Sequence, residues 1–286
     1  MSGRRIAVVT DSTAYIPEQA LGDLVIPVIP LCLIWGEERF RDGVDIDPPT
    51  FYRRLPGSRV FPTTSQPSAG EFVEFYRRVA AESDTDTIVG IYISSGISGT
   101  VASAEAAKAQ VPELNIVVID STFTSMGQGF IALAAARTAA AGGSLEEVVA
   151  VARETQERLH LLFAVETLEY LHRGGRIGGA KRLLGTALNI KPLLHLEEGR
   201  IDALAQVRTK RKAVARMLEV AEERLNGKRM VEAAVLDVDS PEEGDAFAEE
   251  VKERFGISTV YRTTVSPVIG AHAGPGTVGL CFGVEG

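Results

Sequence analysis

The chain has 286 residues and a formal net charge of −8, a balance that argues against nucleic acid as its main partner. That length suits one large or two ordinary domains, and an apolar share of 45% is enough for a sizeable core. No apolar run reaches membrane-span length, Met1 to Arg5 lead into a strand-like run without a cleavable signal pattern, and Cys32 and Cys281 sit in apolar runs that suit buried thiols, so a reducing cytoplasm is the expected location.

Ile6 to Asp11 reads as a strand buried on both faces. It delivers Asp11, Ser12 and Thr13 to the end where open α/β sheets place ligands, although for Asp11 a cap or turn role is the stronger expectation. Val25 to Trp35 is apolar but broken by Pro27 and Pro30, and is expected at a sheet edge. Asp42, Asp45 and Asp47 form an acidic patch without calcium-loop spacing, so a solvated loop and helix start are expected there. In Thr63-Thr64-Ser65-Gln66-Pro67-Ser68, Pro67 keeps Gln66 out of helical geometry, and Ser68 with Glu71 makes a capping box. Thr63, Thr64 and Ser65 are therefore expected in an extended loop ahead of a helix, with hydroxyls that capping does not use.

Thr87 to Ile93 reads as a buried strand and Val101 to Gln110 as a helix, joined by Ser94-Ser95-Gly96-Ile97-Ser98-Gly99-Thr100. Hydroxyls and unpaired N–H groups at such a turn can hold an anion. Ser95 and Ser98 add neutral donors, and Gly96 and Gly99 let the backbone bend close; Ser98 or Thr100 would equally serve as the helix N-cap. A buried strand over Asn115 to Asp120, a small-residue helix over Ser125 to Ala141, and a Ser144/Glu147 capping box opening a helix through Leu159 continue the alternation. It implies a mostly parallel sheet with helices on both faces.

The pattern changes near residue 160. Leu161 to Val165 reads as a strand and Glu166 to His172 as a short helix. Arg173 to Gly179, with Lys181 and Arg182 behind it, is a cationic glycine loop that can hold a phosphate or carboxylate, or serve only as a turn with solvated arginines; the Walker spacing is absent. Leu193 to Val207 reads as a hairpin turning at Glu197 to Arg200. It ends in Arg208 to Lys212, either a solvated helix face or a docking patch for an acidic or phosphate-bearing partner. A helix over Lys212 to Leu225, a strand over Met230 to Val238, a helix opened by Ser240-Pro241, a strand over Ile257 to Thr263 and a last core strand over Thr277 to Val284 complete the chain. The expected division is an α/β domain over 1–160 carrying the Thr/Ser loops and an α+β domain over 161–286, with a ligand cleft between them.

His272 sits in a loop bracketed by Gly270 and Gly274-Pro275-Gly276, a setting that favours a site role. HxH, HxxxH, HExxH and GxSxG are all absent, which speaks against a metal site and a serine-hydrolase elbow. Neutral hydroxyls, one imidazole, helix-start N–H groups and a cationic glycine loop hold a carboxylate rather than break a bond. Apolar residues of both halves would fill the rest of the cleft.

Thr10-Asp11-Ser12, Thr63 to Ser68, Ser94 to Thr100, Asp120-Ser121, Ser125-Met126-Gly127, Leu168 to Ile177, Asn189-Ile190-Lys191-Pro192, Val207-Arg208-Thr209 and Gly270 to Gly276 together resemble, in order and from end to end, the DegV family. These are bacterial fatty-acid-binding proteins that include the binding subunits of fatty acid kinase. The resemblance implies a non-catalytic carrier. It would bury a long-chain fatty acid such as palmitate between two domains and present the carboxylate to a kinase catalytic subunit, with transient contact to a membrane surface and no cofactor or metal. It implies that Thr64 and Ser95 hydrogen-bond the carboxylate with His272 nearby, and that Arg176 and Arg208 serve the head group or the kinase. The candidate ligand-binding set is thus Thr63, Thr64, Ser95, Ser98, Arg176, Arg208 and His272. Gly178 departs from the family, where a serine often follows the Arg-Ile pair. The alternatives are a stand-alone acyl hydrolase or transferase using Ser95 or Ser98 with His272, and a sugar- or nucleotide-phosphate binder using the glycine–arginine loop.

Overall fold

The computed structural model describes residues 5–185 and 190–286; the readings made on Met1 to Arg4 and on Asn189 fall outside the described residues. Strands run over β1 Ile6–Asp11, β2 Val28–Ile29, β3 Cys32–Trp35, β4 Glu38–Arg41, β5 Thr63–Ser65, β6 Thr87–Tyr92, β7 Asn115–Asp120, β8 Leu159–Ala164, β9 Lys191–Glu197, β10 Arg200–Val207, β11 Met230–Asp237, β12 Tyr261–Thr264 and β13 Val278–Val284. Helices run over α1 Glu18–Leu21, α2 Pro48–Arg54, α3 Ala69–Ser83, α4 Thr100–Lys108, α5 Met126–Ala140, α6 Leu145–Arg158, α7 Glu169–Arg173, α8 Lys210–Leu225, α9 Pro241–Phe255 and α10 Pro267–Ala273.

The first sheet, in the order β2-β1-β6-β7, is parallel throughout. Every residue of β6 is buried, because α3 and α4 cover one face and α5 the other. Successive side chains therefore alternate between two apolar layers: Ile88 and Tyr92 face Phe72 and Ala104, while Val89 and Ile91 join Phe130 and Ile131. As the outer strand, β7 is only half-buried, less than the buried strand expected. Both capping boxes form: the side chains of Ser68 and Ser144 accept the N–H of Glu71 and Glu147, and each glutamate reaches back.

The second sheet, β10-β9-β8-β13-β11-β12, is antiparallel except for the β11/β12 pair. A third, antiparallel sheet, β4-β3-β5, stands beside them. The Val25 to Trp35 stretch divides between two sheets. β2, hemmed by Pro27 and Pro30, is an edge strand as expected, whereas the proline-free Cys32–Trp35 bonds on both sides and is the middle strand of the third sheet. Its partner is Thr63–Ser65, expected as a loop and found as a strand, with Thr64 opposite Leu33.

The main core cluster runs unbroken from Val8 and Ile91 of the first sheet through Leu33, Trp35 and Phe51 to Leu161, Leu236 and Cys281 of the second. A separate cluster underlies α8 and α9. In the acidic patch, Asp45 pairs with Arg41 and Asp47 caps α2, both at the surface. Asp42 overturns the expectation of a solvated loop: it is 1% exposed, because it lies under Ser12 where the first and third sheets meet.

Candidate functional site

A cavity of about 90 Å³ lies where the three sheets converge. Its apolar wall takes Leu31, Ile93 and Ile97 from the first half of the chain and Leu161, Phe163, Leu236 and Val268 from the second. Thr64, Ser98, Arg176 and His272 also line it, so four of the seven candidate residues converge on one space.

Thr64 is aimed by the pairing of β5 with β3. Since side chains alternate along a strand, Thr63 points the other way, is exposed and does not line the cavity. His272 belongs to a helix rather than to the glycine-bracketed loop expected. Ser266 caps α10 and Pro267 occupies its first turn, so Gly270 and His272 are helical residues. Nε2 of His272 lies 2.8 Å from Oγ1 of Thr64. At its other end the ring abuts Gly174, where a Cβ would sit 2.0 Å from Nδ1.

Burial, with Arg176 adding to it, pulls the His272 pKa down to about 4, so the ring is neutral at neutral pH and carries one N–H. Nδ1 is buried with no hydrogen-bond partner among the described residues. The tautomer that leaves no N–H unpaired puts the proton on Nε2, donating to Thr64. The Thr64 hydroxyl proton is then free to donate to a ligand oxygen. Arg176 donates from Nε to the Ile97 carbonyl (3.1 Å) and from Nη1 to that of Gly174 (2.7 Å), which leaves Nη2 uncommitted among the described residues. The Ser98 hydroxyl lies 2.8 Å from that of Thr100 and accepts the Thr100 N–H at 3.3 Å, so it serves the helix start while lining the cavity.

Ser95 corrects the expectation. It is exposed, does not line the cavity, and gives both its N–H and its hydroxyl to the Asp120 carboxylate at the end of β7. Its neighbour Ser94 points the opposite way, donating to the Gly199 carbonyl at 2.7 Å. The Ser95–His272 couple that a hydrolase would need is therefore not formed. Arg208 is exposed after β10 and also lies off the cavity. The glycine–arginine loop is no open phosphate cradle either, because Arg173 pairs with Glu169 and Arg182 with Asp202.

Residues outside the candidate ligand-binding set also belong to the wall. Thr124 and Ser125 line the cavity with buried hydroxyls that have no hydrogen-bond partner among the described residues, and Ser125 sits at φ 52°, a strained conformation for a residue with a side chain. The only signal for them was the Ser125-Met126-Gly127 stretch at the helix start. Among the described residues no group of three or more His, Cys, Asp or Glu could hold a metal ion, and no helix is long and apolar enough to cross a membrane.

Fold and site define a class: a three-sheet α/β chain enclosing an apolar chamber with uncharged donors and one arginine in its wall. The chain belongs to the DegV family, whose model, described as "Uncharacterised protein, DegV family", matches residues 5–285. It is 41% identical over 278 residues to a DegV domain-containing protein of Streptomyces coelicolor, covering 97% of this chain and 98% of that one. Among solved structures it resembles a DegV family protein of Thermus thermophilus described for fatty acid binding, at a TM-score of 0.91 and 35% identity over 98% of this chain and 100% of that one. A stearic acid-binding protein of Eubacterium ventriosum superposes at a TM-score of 0.88, with 27% identity over 98% of each chain.

Proposed function

We propose that the cavity holds a long-chain fatty acid, tail between the sheets and carboxylate among Thr64, Ser98, Arg176 and His272, and that the chain is a carrier presenting this carboxylate to the catalytic subunit of a fatty acid kinase. The observation that carries the reading is the make-up of the cavity: apolar walls from distant segments, meeting neutral donors and one arginine with an uncommitted nitrogen. Relatives described as fatty-acid-binding support it. In this reading 1–160 and 161–286 are the two halves around the ligand, the first supplying Thr64 and Ser98, the second Arg176 and His272. Exposed Arg208 meets the kinase rather than the lipid. The protein collects its lipid at a membrane surface and works in the cytoplasm, where the kinase finds ATP.

At about 0.8 kcal/mol per buried methylene, a tail of roughly fourteen methylenes offers on the order of 11 kcal/mol before association costs. A neutral head-group hydrogen bond adds about 1 kcal/mol. The tail therefore sets affinity and the head sets register.

Native mass spectrometry of the protein purified from a bacterial host, followed by lipid extraction, is expected to find one long-chain fatty acid per chain. Adding the kinase subunit and ATP is expected to yield acyl phosphate. A protein that carries no lipid and takes up none of an added palmitate excess overturns the carrier reading; lipid bound but never phosphorylated overturns only the kinase part.

A further inference from the structure

Among the described residues four buried side-chain polar atoms have no hydrogen-bond partner, and three of them belong to residues that line the cavity: Nδ1 of His272 and the hydroxyls of Thr124 and Ser125. The His272 nitrogen is accounted for by the tautomer, which leaves it a bare acceptor. The two hydroxyls have no such account: each is a donor shut away from water, which is costly while it stays unpaired. Ser125 is only 1% exposed. It stands at the N-cap of α5 with φ 52° and ψ −141°, yet its side chain caps nothing. A serine in a strained backbone, at a capping position it does not use and with its hydroxyl at a cavity, is a group available to a ligand. The first turn of α5 adds to the polarity. No acceptor among the described residues meets the N–H of Met126 or Gln128, and a helix of 15 residues points the positive end of its dipole there.

These donors stand apart from the head-group residues. α5 packs against β1, β6, β8 and β13, whereas α10, which carries His272, packs against α2, α7, β3 and β5, the last holding Thr64. No hydrogen bond joins the hydroxyl of Thr124 or Ser125 to Thr64, Ser98, Arg176 or His272. The strands beneath α5 supply Leu161, Phe163 and Gly279 to the same cavity wall, surroundings that suit a hydrocarbon tail rather than a carboxylate.

We propose that Thr124 and Ser125 form a second polar station in the cavity, set along the tail, and that it receives an oxygen carried on the ligand's chain: the preferred ligand is a long-chain fatty acid bearing a hydroxyl or keto group away from its carboxylate. The proposal rests on the fatty-acid reading above and narrows the ligand class of the same site. Both hydroxyls have a proton to give, so the matching group is an acceptor, and a hydroxyl or ketone oxygen offers lone pairs without bringing a charge into the apolar wall. A plain methylene offers none and leaves both donors unpaired. Discrimination of this kind, by stranding the site's own polar groups, is stronger than discrimination by size.

Titration of the delipidated full chain with stearate and with hydroxystearates whose hydroxyl is stepped along the chain tests this. In a uniformly apolar tunnel every added hydroxyl lowers affinity on the order of tenfold, because it gives up water and gains no partner. One hydroxyl position is expected to escape that loss and bind at least as tightly as stearate. In Ser125→Ala and in Thr124→Val, affinity for that one hydroxystearate should fall about tenfold while stearate binds as before or more tightly. Ser125→Ala keeps the Cβ already present at φ 52° and breaks no cap bond, and Thr124→Val keeps the side chain's shape, so both variants should melt no lower than the parent. Stearate titrated into each variant shows that the cavity is intact. If every hydroxystearate binds more weakly than stearate, and to the same degree in parent and variants, the proposal is overturned. A parent that binds neither stearate nor any hydroxystearate overturns the fatty-acid reading instead.

Discussion

Gly174→Ala puts the arrangement around His272 to a sharp test. The added Cβ would lie 2.0 Å from Nδ1, 2.7 Å from Cε1 and 3.1 Å from the Tyr170 carbonyl. The ring cannot slide away, because its far nitrogen already stands 2.8 Å from Thr64 Oγ1. Either the imidazole leaves its rotamer and gives up that bond, or the chain around Gly174 shifts. Overpacking of this kind costs about 1–3 kcal/mol. Urea unfolding of Gly174→Ala should show that loss, whereas in a His272→Ala background only the Tyr170 carbonyl at 3.1 Å still crowds the added Cβ and the cost should be clearly smaller. The coupling between the two sites is thus expected to reach roughly 1–2 kcal/mol. An equal cost in both backgrounds would refute the placement of the imidazole against Gly174.

Thr64→Ala removes one neutral hydrogen bond, so palmitate affinity should fall only about fivefold by titration calorimetry, with a larger loss in phosphorylation of the bound lipid; equal losses would count against the division of labour between tail and head. Ser95→Ala should leave lipid retention unchanged, and a drop comparable to that of Thr64→Ala would mean that Ser95 turns inward. Burial raises the Glu232 carboxyl from 4.5 to about 7, against the pull of Arg137 and Arg158. The folded state then holds that proton more tightly than the unfolded chain, so stability is greatest at low pH and declines as the pH rises from about 4.5 through 7, by about 3 kcal/mol for this group. Glu232→Gln should flatten that part of the urea profile, and an unchanged slope would assign it elsewhere. Cys281 is buried, its thiol raised well above the ordinary range, so a thiol reagent should reach it only on unfolding; rapid modification in the native state would contradict the packing of β13.

What could be read in advance was whatever rests on neighbours along the chain. The two capping boxes, the strand-to-helix turn at Ser94 to Thr100 and the hairpin at Glu197 to Arg200 depend on residues a few positions apart, and each formed. The misreadings lie where a distant partner decides. Ser95 turns outward because Asp120, 25 residues on, receives it. Asp42 is buried because Ser12 and the start of α10 meet it, which no local pattern announces. Thr63–Ser65 is a strand because β3, paired on one edge with β4, offers it the other edge. The helix around His272 is a different case. Ser266-Pro267 carries the same cap-and-proline signal that marked Ser240-Pro241, but the glycines that followed outweighed it, and Gly270 is there to admit the Tyr52 ring, whose hydroxyl would lie 2.2 Å from a Cβ.

Among the hydrogen bonds that join the earlier and later parts of the chain beside the cavity are the Ser94 hydroxyl on the Gly199 carbonyl and the Arg176 guanidinium on the Ile97 carbonyl. Both end on main-chain oxygens, and neither is an ion pair. Ionic strength consequently has little purchase on this closure. Contacts of this kind respond to water or another surface reaching those two oxygens more than to a change in salt.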